Sequence, residues 1–242
     1  MPEGSKAERN TQISSCNFEP LCLRGEKNYF YSMKEIKNII FDLGGVLINL
    51  DNKLTERAFV DLGVKDFHKY FGHGFAASFF KEYEVGKISD EEFIGQLKRL
   101  GNLDVPDSVV IKAWDALLLD FPKERIELLK KLRSKYRIFL FSNTNALHMK
   151  TVLKIFEDTF PYETLDEHFE KTYYSNVLGL RKPDVTSYLH ITNENNLIPS
   201  ETLFVDDALV NVEGANAAGL KGYFVEPGKT ILDIDWKRNA ER

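Results

Sequence analysis

The sequence predicts an α/β fold: a doubly wound parallel sheet whose chain is interrupted early by a small α-helical insert. Three observations carry that expectation. Short apolar runs rich in Ile, Val and Phe recur along the chain, amphipathic helical patterns separate them, and residues 52–121 break the alternation with helical patterns alone.

In chain order, Ile39, Ile40 and Phe41 end at Asp42 and Gly44-Gly45 before Val46, Leu47 and Ile48 resume, the pattern of a buried strand entering a turn. In the insert, the clearest helix begins at Ser89. Ser89 and Glu92 make a capping box, Phe93, Leu97 and Leu100 share one face, and Gly101 supplies the stop. Trp114, Leu117 and Leu118 mark another amphipathic segment, and such stripes at helical spacing signal packing rather than a ligand site. After Pro122, Ile126, Leu129 and Leu132 read as a helix, followed by a strand over Arg137–Phe141 and a weaker one over Phe169–Tyr174. A helix over Val185–Ile191 then follows Pro183, a strand covers Thr202–Val205, a helix runs over Val212–Ala218 before Gly219, and a last strand covers Gly222–Val225. The expected organisation is a weakly ordered extension over 1–35, a core from 36–51 and 122–242, and a helical insert over 52–121.

Composition bounds the function. Of the 242 residues, 43% are hydrophobic and 29% charged, enough apolar mass for a sizeable core. A formal charge of −5 gives no basic footprint, so nucleic acid is not an expected partner. No apolar stretch approaches the roughly 20 residues that span a bilayer, so no membrane partner is expected either. Residues 1–32 lack the basic and apolar regions of a secretory signal, and Met33, just before the first strand, is a candidate start of translation. Cys16 and Cys22 have neither the partners of a zinc site nor a disulfide framework, which points to a reducing, cytoplasmic setting. His68, His73, His148, His168 and His190 form no HExxH or facial-triad pattern, so histidine metal ligation is not expected. Gly44-Gly45 lacks the third glycine of a dinucleotide fingerprint and the ending of a P-loop.

Ligands of open parallel sheets collect at the carboxyl ends of strands. Four places there carry unusual chemistry: Asp42, Ser142-Asn143-Thr144, Lys182 before Pro183, and Asp206-Asp207. Together they offer carboxylates, a hydroxyl and a cation to one edge.

These four places resemble the motifs of the haloacid dehalogenase (HAD) superfamily, over about Lys37 to Pro227. FDLGGVL at Phe41–Leu47 is similar to its first motif, FSNT at Phe141–Thr144 to its second, RKPD at Arg181–Asp184 to its third, and FVDDALVNVEGANAAG at Phe204–Gly219 to its fourth. They occur in the family's order, with 40 residues from Ser142 to Lys182 and 24 from Lys182 to Asp206. The resemblance implies a Rossmann-like core and makes the helical insert similar to the family's cap. YEVGKISDEEF at Tyr83–Phe93 is similar to a cap segment of bacterial phosphatases acting on sugar phosphates such as α-D-glucose 1-phosphate.

The resemblance implies a Mg²⁺-dependent phosphatase of a small phosphorylated metabolite, with sugar phosphates as one candidate class. It implies Asp42 as the nucleophile that forms an aspartyl-phosphate. Lys182 would neutralise the phosphoryl group, and Ser142, Asn143 and the backbone amides of their turn would bind it. For the metal it implies Asp42, the carbonyl of Gly44 and Asp207, with Asp206 either a further ligand or a partner that braces the ligands. One departure stands out. Most family phosphatases carry an acid/base aspartate two residues after the nucleophile, and Gly44 occupies that position; the glucose 1-phosphate phosphatases carry glycine there too. General acid/base catalysis typically contributes about 10²–10⁴-fold, so its loss implies a slower enzyme. Asp51, Glu84 and His73 are candidate substitutes. The turn at Gly44 is also expected to use a backbone conformation that aspartate adopts only with strain. Three further readings remain open: metal-independent carbon–halogen hydrolysis through an aspartyl ester, a noncatalytic metabolite-binding protein, and phosphoryl transfer between two positions of a sugar.

Overall fold

In the computed structural model, residues 33–65, 67 and 78–236 are described. Cys16, Cys22, His68, His73 and most of the expected extension over 1–35 lie outside them. The apolar run after Lys37 forms β1 (Asn38–Phe41), buried along its whole length. Four helices of the insert follow: α1 (Asn52–Asp61), α2 (Ser78–Glu84), α3 (Asp90–Gly101) and α4 (Asp107–Asp115). Then come α5 (Lys123–Leu132), β2 (Arg137–Ser142), α6 (Ala146–Thr159), β3 (Lys171–Tyr174), α7 (Ser175–Leu178), α8 (Val185–Glu194), β4 (Thr202–Asp206), α9 (Leu209–Ala217) and β5 (Lys221–Phe224).

The five strands form one sheet in the order β3-β2-β1-β4-β5, and every pair is parallel. This is the doubly wound α/β fold the alternation predicts. Because side chains alternate along a strand, Ile39 and Phe41 join Ile138, Leu140, Leu203 and Val205 in a cluster that includes Leu129 of α5 and Val152 and Phe156 of α6. Ile40, Phe139, Phe141 and Phe204 face the other way, against Tyr188 and Ile191 of α8 and Ala215 of α9. Fully burying each such side chain contributes about 1.5–3 kcal/mol, so both faces of the sheet hold the core together.

A third cluster lies in the insert, where Phe59, Phe80, Tyr83, Phe93, Leu97 and Trp114 pack together with Leu147 of α6. Here the local details depart from the sequence pattern. Ser89 caps α3 by accepting the Glu92 N–H at 3.2 Å, but Gly101 is the last helical residue, and Asn102, at φ 48, makes the left-handed stop. Gly101 is small for a packing reason, since a Cβ there would lie 2.5 Å from Val64 Cγ2. Leu117 and Leu118 lie beyond α4 on the returning chain, where Leu50 and Leu118 form an antiparallel bridge. No element is assigned to α6 by the sequence pattern, although Met149, Val152 and Phe156 share its buried face and Lys150 and Lys154 lie on the exposed one.

Candidate active site

Parallel register brings the polar strand ends to one edge. Phe41 pairs with Leu140 on one side and Val205 on the other, so the residues just past these strands converge. Asp42 is fixed there by donating its N–H to the Val205 carbonyl at 2.9 Å. Its Oδ1 accepts the Leu43 N–H at 2.7 Å and lies 2.7 Å from Lys182 Nζ.

Lys182 is 1% exposed and touches a second carboxylate, Asp206 Oδ2, also at 2.7 Å. The rings of Phe141 and Phe204 flank its ammonium, each centroid 5.5 Å away. Burial alone would push the Lys182 pKa down, but Asp206 and Asp42 outweigh it and the net shift is upward. Asp42 responds in the opposite sense: burial, then Asp206 and Asp207, push its pKa well above the usual carboxylate range, against the pull of Lys182. Clustered carboxylates that resist ionisation in this way favour any cation that joins them.

Asp206 is wholly buried and has several donors. Its Oδ1 accepts the Ala208 N–H at 2.7 Å, and the Asn211 amide reaches both oxygens at 3.1 Å. Asp207 is exposed, and one carboxylate oxygen each of Asp42, Asp206 and Asp207 lie within 4.8 Å of one another. This donor set is all oxygen, and three carboxylates against one ammonium leave a net charge of about −2, which suits a hard divalent cation.

Gly45, which the sequence pattern does not single out, shapes the edge beside Asp207. It sits at φ +71, and a Cβ there would fall 1.9 Å from Asp207 Oδ2. Glycine is therefore required twice over, by backbone and by contact. Gly44 is a correction to expectation: it is not among the positive-φ residues, so its backbone presents no strain to aspartate. What a side chain at Gly44 would meet is Leu50 Cδ1, 2.6 Å from the Cβ position.

The remaining predicted residues divide. Ser142 is buried at the end of β2. Asn143 is engaged at both ends with the backbone of Lys182, donating Nδ2–H to its carbonyl and accepting its N–H on Oδ1, each at 2.9 Å. That clamp holds the lysine and gives the Asn143 amide a positioning task. The Thr144 N–H is taken up by Ser175 Oγ at 2.9 Å, and the same hydroxyl donates back to the Thr144 carbonyl. Asp51 caps α1, accepting the Lys53 N–H at 3.0 Å. Glu84 is ion-paired with Arg181, the neighbour of Lys182, at 2.8 Å; burial raises its pKa while Arg181 pulls it back. Ser175, Asn211 and Gly45 complete the site, and only Asn211 and Gly45 lie within the motifs quoted above.

Residues 36–219 match the family model of the haloacid dehalogenase-like hydrolases. The chain is 30% identical over 203 residues to D-ribitol-5-phosphate phosphatase from Bacteroides thetaiotaomicron, covering 84% of this chain and 96% of that protein. It is 28% identical over 189 residues to the sesquiterpene phosphatase astK of Aspergillus oryzae, covering 77% and 88% respectively. Among solved structures it is similar to a HAD family enzyme from Bacteroides thetaiotaomicron, an aspartate-to-alanine variant in complex with magnesium and inorganic phosphate. The TM-score is 0.76 at 33% identity, over 80% of this chain and 96% of that one. Among the described residues, no helix is long and apolar enough to cross a membrane.

Proposed function

The chain belongs to the haloacid dehalogenase-like hydrolase family, and from that premise we propose that it hydrolyses a small phosphorylated polyol or sugar through an aspartyl-phosphate on Asp42, with Mg²⁺ as cofactor. The observation that carries the reading is the group of three carboxylates within 4.8 Å, bridged by a buried ammonium at 2.7 Å from two of them. The polyol or sugar class is supported by the ribitol-phosphate relative and by the cap-like segment Tyr83–Phe93. Residues 52–121 act as the cap over a core made of the flanking segments.

Asp42, Asp207 and the Gly44 carbonyl would hold the magnesium. Bound there, the ion supplies charge neutralisation for the phosphoryl group. Asp42 then attacks phosphorus, forming the carboxyl–phosphate bond as the ester oxygen departs; the alcohol takes its proton from solvent. Water attacks phosphorus next, releasing inorganic phosphate and restoring the carboxylate. Lys182 has three N–H donors and uses two on Asp42 and Asp206, leaving the third for a phosphoryl oxygen. Asp206 keeps the lysine aimed, itself held by Asn211. Ser142 offers its hydroxyl to the phosphoryl group. With glycine at position 44, Asp51 capping a helix and Glu84 paired to Arg181, neither described candidate stands free as the acid/base, and His73 lies outside the described residues. Turnover is accordingly slow with poor leaving groups.

A panel of phosphate esters, including ribitol 5-phosphate and sugar 1-phosphates, tests this in Mg²⁺ and in excess chelator. The reading requires phosphate release that the chelator removes and Mg²⁺ restores. Halide release from 2-haloacids would transfer support to carbon–halogen hydrolysis, and tight metabolite binding without turnover to a noncatalytic binding protein.

A further inference from the structure

We propose a second cation site of the zinc class, formed by Glu163, Glu167 and His168 at the edge of the sheet opposite the phosphate site. After α6 the chain passes through Glu163 into a single 3-10 turn, Asp166–His168, just before the amino end of β3. His168 is 4% exposed and lies edge-on to the Phe156 ring, with centroids 5.6 Å apart. Its Nε2 forms an ion pair with Glu163 Oε2 across 3.2 Å, but both atoms are shut off from water and the pair makes no aligned hydrogen bond.

A buried pair without an aligned hydrogen bond recovers only part of the about 1–3 kcal/mol that each polar atom loses on leaving water. A cation between them satisfies both. Arms of roughly 2.0–2.1 Å meeting at the tetrahedral angle put ligand atoms about 3.3 Å apart, close to the spacing seen. The Glu167 carboxylate lies within 4.8 Å of the other two donor atoms and, being exposed, can turn toward the same point. The outer carboxylate oxygens are already supported, Glu163 Oε1 by Lys130 Nζ at 3.0 Å and Glu167 Oε2 by the Thr164 hydroxyl at 3.0 Å. Arg133, the other cation close by, donates to the Glu167 backbone carbonyl. One imidazole with two carboxylates selects zinc over magnesium, whose preference is for oxygen alone, and leaves a fourth position for water. The ion would brace the connection after α6, which Lys130 of α5 already holds through Glu163.

The test uses the full chain, stripped of metal, refilled with excess Mg²⁺ and titrated with Zn²⁺ by calorimetry. One Zn²⁺ should bind per chain despite the Mg²⁺. His168→Gln should weaken it by more than about tenfold, as should Glu167→Gln, whose exposed position keeps the test valid if the buried variant fails to fold. Asp207→Ala should leave it unchanged. Zn²⁺ binding absent in Mg²⁺ excess, unaltered in Glu167→Gln, or lost only in Asp207→Ala would overturn the proposal.

Discussion

Replacing Gly45 with alanine separates two costs that coincide at this residue. Its φ of +71 charges any L side chain about 1–2 kcal/mol, which for a chain of this size lowers Tm by about 2–8 °C. The second cost is local. The new Cβ would stand 1.9 Å from Asp207 Oδ2 and 2.6 Å from its Cγ, so the carboxylate must retreat by more than about 1 Å, a misplacement that costs on the order of 10²-fold in rate. Gly228→Ala is the control, because Gly228 has φ +82 and nothing within 4 Å of its Cβ position. Both variants should melt earlier by similar amounts. Only Gly45→Ala should lose phosphate release and Mg²⁺ affinity, read by phosphate assay and metal titration. Gly45→Ala with activity within about twofold of Gly228→Ala would refute the idea that this contact sets the metal-binding carboxylate.

Asp206→Ala removes one of the two carboxylates paired with buried Lys182 and should cost about 1.5–3 kcal/mol in urea unfolding, whereas Asp207→Ala should keep its stability and lose Mg²⁺ affinity; the reverse order would exchange their roles. His148, stacked on Trp114, is buried and its pKa is pushed down to about 4. A folded-state value below the unfolded one means that stability is complete above pH of about 6.5 and falls, by up to about 3 kcal/mol, as pH drops toward 4. Asp115, pushed up to about 6 by burial, takes up a proton in the same range and opposes the loss, so the comparison is wild type against His148→Gln; equal pH slopes would contradict it. Gly44→Asp should lower turnover for good and poor leaving groups alike by crowding Leu50, and adding Leu50→Ala should restore part of it. Selective acceleration of the poor leaving group by Gly44→Asp alone would instead mark proton donation as the limiting deficit.

The sheet was legible because a buried parallel strand is nearly uniform in apolar residues, as Ile39–Phe41 and Leu203–Val205 are, and the polar residues that end such runs point to the site. What could not be read depends on partners distant in the chain. Ser175 braces the Thr144 turn from 31 residues away, and nothing around Ser175 announces it. Gly45 matters through Asp207, and Gly101 through Val64, so neither is distinguishable locally from a turn or stop glycine. His168 belongs to no histidine motif, and only the folded chain reveals its buried pairing with Glu163. Asn143 and Lys182 were each visible as polar residues, but their mutual clamp is a product of β2 meeting the loop after α7.

The central claim is that Asp42 forms the bond to phosphorus. Its most direct test is the rate of phosphate release by Asp42→Asn beside wild type, in saturating Mg²⁺ and at equal folded concentration. The amide keeps the size of the side chain and its place beside Lys182 while removing the attacking oxygen, so the variant should fold and turn over at least about 10³-fold more slowly. A folded Asp42→Asn protein that retains more than about 5% of the wild-type rate would contradict the assignment.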